Sequence, residues 1–333
     1  MTTLTGNAVV TIDLDDSGYL VDFDSGRIIP TEGVADWLDR TIALAPEVTD
    51  IFVFVHGWRN STERASQSIS KLATLLQAQL AAQEAMYEEL TSFSALFVLI
   101  RWPSMSNPFP EGYCRIRDRA HAMTTQGHAE FVIAHILGYL NSIRELPSAE
   151  PPTLRTNRGQ YLHCIGHSFG GRFLCEAIVA ANEPTAPTLA WPWARNEYPY
   201  TVDTLLVFQM ATRPDDFADR YSSLLTAAPI SGPVVLTFSH ADRALRLWHR
   251  FAEGTPGLGA YGATAPRDMI QVVRMPRMDE YMIIRPENGR IVNVDSTWRF
   301  KRGRLSRFEG AHSDIWYPES ANLVLSLADA ARP

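Results

Sequence analysis

Seven short runs rich in Val, Ile, Leu and Phe recur along the chain, separated by longer stretches that carry apolar residues at helical spacing. The runs cover 8–14, 51–55, 95–100, 161–165, 204–208, 234–238 and 290–294. A strand buried on both faces reads as an unbroken apolar run, and two such strands lying parallel need a crossover, which is usually a helix. The rhythm predicts an α/β chain with a mostly parallel central sheet of about seven or eight strands and helices on both faces.

The intervening segments supply the helices. Segment 61–90 sets Ile69, Leu72, Leu75, Leu76 and Leu80 at helical spacing, and segment 124–146 does the same with Phe131, Ile133, Ile136, Leu137 and Leu140. A third helix is expected from just after Gly170 to about Ala181. A last one is expected from Pro318, with Glu319 in its first turn, to near Ala330. Two stretches, 101–119 and 183–200, are rich in proline, which removes a backbone donor and biases its predecessor away from helix. Both are expected to be lid-like or cap loops. Between 266 and 307, ten basic residues stand against five acidic ones. This Arg-rich insertion reads as a solvated hairpin region, or as a surface that steers an anionic partner. No internal repeat is visible, and residues 1–333 are expected to form a single domain.

Composition narrows the function classes. With 46% apolar and 20% charged residues the chain can bury a sizeable core. Its formal net charge of −7 argues against nucleic acid as a partner. Cys114, Cys164 and Cys175 are an odd number, widely spaced, and imply neither a disulfide framework nor a zinc site. The first residues show no basic stretch leading into an apolar run, and no segment approaches the roughly 18 consecutive apolar residues of a membrane helix. The expectation is a cytoplasmic protein without a membrane span.

The strongest local signal is Gly166-His-Ser168-Phe-Gly170, placed directly between an apolar strand and a helical pattern. At a sharp strand-to-helix turn a serine is held in a strained conformation with its hydroxyl exposed at the sheet edge, and flanking glycines permit the close chain approach. The helix that follows adds amides and a dipole favouring negative charge. Such a hydroxyl needs a base, itself oriented by a carboxylate, and on this architecture the order is Ser, acid, His. His312, between the last apolar run and the final helix, fits the base. His240 and His249 precede that run, the remaining histidines other than His167 precede Ser168, and His167 flanks the serine as a packing or positioning residue. Asp242, four residues past the 234–238 run, is the favoured acid, with Asp215 or Asp216 after the preceding run as rivals. Two backbone donors for an oxyanion are expected from Phe169, next to the serine, and from Trp58 in the turn His56-Gly57-Trp58, ~110 residues upstream. No His-Glu-x-x-His-like spacing suggests a metal.

The set Val55-His-Gly-Trp, Gly166-His-Ser-Phe-Gly-Gly, Ser239-His-Ala-Asp and Gly310-Ala-His-Ser-Asp resembles the α/β-hydrolase superfamily, and more narrowly bacterial serine-esterase or lipase-like hydrolases with a His-Gly-Phe or His-Gly-Trp turn. The likeness spans about Asp50 to Asp329. It implies Ser168 as nucleophile, His312 as base, Asp242 as acid, and the amides of Trp58 and Phe169 as oxyanion hole. It further implies cofactor-independent cleavage of a small-molecule carboxylic ester through an acyl-enzyme. Trp102, Phe109, Tyr113, Trp191 and Trp193 suggest a pocket for an apolar acyl or aromatic group. An acyltransferase using the same triad, and a non-catalytic interaction protein on the same fold, are the alternatives. The Trp/Pro-rich stretch 183–200 and the Arg-rich stretch before His312 depart from better-known members.

Overall fold

The computed structural model describes residues 8–144, 159–181, 201–226, 230–282, 290–301 and 309–332, together with the backbone of 3–4. Among them one sheet of ten strands dominates: β1 (Val9–Leu14), β2 (Leu20–Val21), β3 (Ile28–Ile29), β4 (Asp50–Val55), β5 (Ala95–Arg101), β6 (Tyr161–His167), β7 (Thr204–Phe208), β8 (Val234–Phe238), β9 (Ile270–Arg274) and β10 (Ile291–Asp295). Their order is β9-β10-β8-β7-β6-β4-β5-β1-β2-β3. Eight of the strands run parallel, and only the short β2 and β3 pair antiparallel at one edge.

The central strands are buried on both sides because successive side chains point to opposite faces. In β4, Ile51, Val53 and Val55 join one apolar cluster, whereas Phe52 and Phe54 join the other. The first cluster is covered by α1 (Val34–Thr41), α3 (Pro110–Thr125), α4 (Ala129–Ile143) and α5 (Phe169–Ala181). The second is covered by α2 (Thr62–Ala82) and α6 (Pro318–Ala330), which pack on each other. On α2, Ile69, Leu72 and Leu76 are buried, and the Ser61 hydroxyl caps the first turn by accepting from the Arg64 amide at 3.3 Å.

Two expectations change. Segment 101–119 is irregular only to Phe109, because Pro110 begins α3. Proline is favoured at a first helical position, where its missing N–H would have no helical partner. Tyr113, Ile116, Ala120 and Met123 then form the buried stripe of that helix. The Arg-rich stretch contains an additional strand, β9, paired parallel to β10, so the described part of it is not a hairpin. Its short Ile-Gln-Val-Val-Arg sequence lies at the sheet edge with Val272 exposed. The stretch 183–200, with Trp191 and Trp193, falls outside the described residues.

The strand order reverses between β4 and β6. β4 leads through α2 to β5 on one side, while β6, on the other side of β4, leads through α5 outward to β7. Loops leaving the carboxyl ends of β4 and β6 thus diverge, and such a switch point is where open α/β sheets place ligands. No helix among the described residues is long and apolar enough to cross a membrane.

Candidate active site

Ser168 follows β6 directly with φ of +57°, a left-handed conformation that is uncommon outside glycine. Its amide donates to the Phe208 carbonyl at 2.9 Å and its carbonyl accepts from the Gly171 amide at 3.1 Å, so both neighbouring elements hold the strained turn. The turn is tight enough that a Cβ at Gly170 would lie 2.0 Å from the Val55 carbonyl oxygen. Only glycine fits there.

His312 Nδ1 donates to Asp242 Oδ2 at 2.7 Å, which leaves Nε2 to accept the Ser168 hydroxyl at 2.8 Å. The three residues come from loops after β10, β8 and β6, and all three are almost completely buried. Packing fixes the loops on one another. Asp242 and Gly310 form an antiparallel bridge, the Ala311 amide donates to Ala241 at 3.0 Å, and the Glu309 carbonyl accepts from Arg243 and Ala244, both at 3.2 Å. The structure thus brings the expected serine, base and acid together. It does not bring Asp215 or Asp216 to His312: Asp215 forks onto the exposed Arg213, and Asp216 caps its own turn through the Arg213 amide and the Thr212 hydroxyl.

The surroundings set the electrostatics. Burial alone would push the His312 imidazole down, but the charge and hydrogen bond of Asp242, aided by Glu309, outweigh it and hold His312 above its usual value. Burial raises the Asp242 carboxyl against the opposing pull of His312. His167 stays neutral: burial, with His312 beside it, holds it down to about 3. Its Nε2 donates to the His312 carbonyl at 2.8 Å, so it positions the base rather than replacing it.

The turn after β4 is held by hydrogen bonds on both sides of Trp58. The Gly57 carbonyl accepts from His56 Nδ1 at 3.0 Å and Asn60 Nδ2 at 2.9 Å, and the Arg59 amide donates to Ser104 at 2.9 Å. The amides of Trp58 and of Phe169, the first residue of α5, have no acceptor among the described residues. A Cβ at Gly57 would come within 2.7 Å of Ser168 Cβ, so the turn lies directly against the serine. Two free amides flanking a hydroxyl that is bonded to an imidazole form an arrangement able to activate that hydroxyl and to receive a developing oxyanion.

Sequence reasoning missed three residues. Gln209, also left-handed at φ +46°, donates from Nε2 to Asp242 Oδ2 at 2.9 Å. Arg59, at φ +61°, pairs with Glu309 and ties the Trp58 turn to the His312 loop. None sits in a recognisable motif; the only cue is that Gln209 follows a buried strand directly, as Ser168 does. Tyr113 and Trp102, expected in a substrate pocket, are buried. Tyr113 packs on Trp58 and Phe169 with ring centroids 5.4 Å from each, and Trp102 packs on Phe173 at 4.9 Å. The chain matches no protein-family model, no curated protein and no solved structure in these comparisons.

Proposed function

We propose that the chain is a serine hydrolase of the α/β-hydrolase type that cleaves carboxylic esters. The observation that carries this reading is the continuous hydrogen-bond chain from Ser168 through His312 to Asp242 at a strained strand-to-helix turn. Ser168 attacks the ester carbonyl while His312 takes its proton, and Asp242 stabilises the imidazolium. The amides of Trp58 and Phe169 receive the oxyanion. His312 then returns the proton to the leaving alcohol, and water, activated by the same imidazole, releases the acid from Ser168. No cofactor or metal takes part in this scheme.

The apolar portion of the substrate has a candidate location beside the Trp58 turn. A cavity of about 480 Å³ there is lined by His56, Phe23, Trp102 and Met105 on one hand and by Asp13, Arg101 and Arg119 on the other, with none of Ser168, His312 and Asp242 on its wall. Its apolar side, from Phe23, Trp102 and Met105, supports an acyl or aromatic group. Three unpaired cysteines suit a reducing compartment and support a cytoplasmic location. The test is hydrolysis of a p-nitrophenyl ester series of increasing chain length by the full chain. Turnover absent in Ser168→Ala is expected; equal turnover in that variant overturns the assignment.

A further inference from the structure

The chain leaving Asp242 forms one helical segment in two continuous pieces, Ala244–Trp248 in the wider π form and His249–Glu253 in the α form. Ala244, Leu245 and His249 turn inward and are buried. Arg243, Arg246, Leu247, Arg250 and Phe251 are exposed, at the i, i+3, i+4, i+7 and i+8 spacing of a single stripe. The outer side of such a segment is ordinarily polar throughout. Here it holds two large apolar side chains one turn apart, Leu247 at 48% and Phe251 at 72% exposure.

The charge on this stripe is one-sided. It carries three arginines and no carboxylate, in a chain whose formal net charge is −7. The carboxylates nearby belong to other cations. Arg117 of α3, which packs against the segment, engages Glu253 at 3.7 Å and Asp118 at 2.7 Å. Glu309, behind the Arg243 amide, pairs with Arg59. On the loop after β7, Asp215 pairs with Arg213, and Asp216 accepts the Arg213 amide and the Thr212 hydroxyl. α3 adds no opposing charge, with Arg115, Arg117 and Arg119 against Glu111 and Asp118. Among the described residues the Arg246 guanidinium meets only a main-chain acceptor, the His240 carbonyl at 3.5 Å.

We propose that this stripe docks the protein on an anionic lipid bilayer. Arg243, Arg246 and Arg250 meet the lipid phosphates, whose geometry a guanidinium fork matches. Leu247 and Phe251 enter between the headgroups, where arginine stems can lie along apolar surface while their charged ends stay in the polar layer. An acidic protein surface would answer the three charges but not the apolar pair set among them. Docking of this kind is independent of ester cleavage and stands or falls separately from it.

The test is co-sedimentation of the full-length Ser168→Ala protein with vesicles of phosphatidylcholine, alone or mixed with phosphatidylglycerol. Saturable binding to the mixed vesicles, weakening as salt is raised, is expected, with none to phosphatidylcholine alone. Leu247→Ser combined with Phe251→Ser should lower the affinity by roughly tenfold or more at every salt concentration. Gln in place of Arg243, Arg246 and Arg250 together should lower it by about a hundredfold at low salt and flatten the salt dependence. All five side chains are exposed, so both variants should melt at the wild-type temperature. Immobilised polyglutamate supplies the protein-like alternative. No binding to the mixed vesicles, equal binding to both kinds, or an affinity that either set of substitutions leaves unchanged overturns the proposal. So does tighter binding to polyglutamate that the Leu247→Ser, Phe251→Ser variant retains in full.

Discussion

Gln209 and His312 donate to one and the same oxygen of Asp242: Nε2 of the glutamine lies 2.9 Å from Oδ2, and Nδ1 of the histidine lies 2.7 Å from it. The other oxygen, Oδ1, accepts the Leu245 amide at 2.9 Å. The carboxylate is thus held on both oxygens, and Gln209 is held in turn by its amide, which donates to the Thr237 hydroxyl at 3.1 Å. A hydrogen bond to a charged group is worth about 1.5–3 kcal/mol, so Gln209→Leu is expected to lower kcat by roughly tenfold to hundredfold with KM little changed. Steady-state kinetics on a p-nitrophenyl ester measure this. Wild-type kcat in the variant would show that the glutamine does not position the acid.

Asp242→Asn should be far more damaging, because an amide at this position no longer selects the His312 tautomer that accepts from Ser168. Turnover is expected to fall on the order of 10⁴-fold, the scale seen when a triad carboxylate is made neutral. Asp215→Asn, at a surface pair with Arg213, is expected to stay within about twofold of wild type. The reverse ranking would move the acid to the loop after β7.

The proposed ester cleavage requires neutral His312, which Asp242 and Glu309 hold above its ordinary 6.5. The pH profile of kcat/KM should therefore rise through a midpoint higher than 6.5. Glu309→Gln removes one of the charges that raise it, so the midpoint should move to lower pH. A midpoint at or below 6.5 in the wild type, or one that does not move in Glu309→Gln, contradicts these electrostatics.

Acid should weaken the fold before the carboxylates titrate. Burial keeps His56 down at about 4 and His167 at about 3. Unfolding frees both to bind protons near 6.5. Below that pH the unfolded state gains protons that the folded state refuses, so stability falls as pH falls, by about 1.4 kcal/mol per unit for each histidine. His249, also held low, adds to this loss and His312, held above 6.5, opposes it, so urea denaturation should show the protein less stable at pH 5 than at pH 7 by roughly 4 kcal/mol. Equal midpoints would mean that both rings protonate within the fold.

The strand rhythm was readable because the central strands are buried on both faces, and burial of that kind leaves an apolar run whatever the neighbours are. Thr204–Phe208 and Val234–Phe238 have the limits their sequences suggest. That Ser168, His312 and Asp242 meet was legible for a different reason: Ser168 and Asp242 closely follow strands, and His312 lies in a loop between the last strand of the sheet and the final helix. Gln209 and Glu309 leave none, since their roles arise from contacts across 33 residues, to Asp242, and 250 residues, to Arg59. β9 was hidden by its exposed edge position, where Ile-Gln-Val-Val-Arg makes no continuous apolar run, and α3 by the reading of Pro110 as a breaker rather than a first residue.

The most direct measurement of the central claim is reaction of the purified full-length protein with a fluorophosphonate, followed by intact mass and peptide mapping. Wild type is expected to take up one adduct at Ser168, and Ser168→Ala and His312→Ala to take up none at the same exposure. A folded wild-type protein that stays unlabelled, or that labels as fast in His312→Ala as in the wild type, would contradict activation of Ser168 by His312.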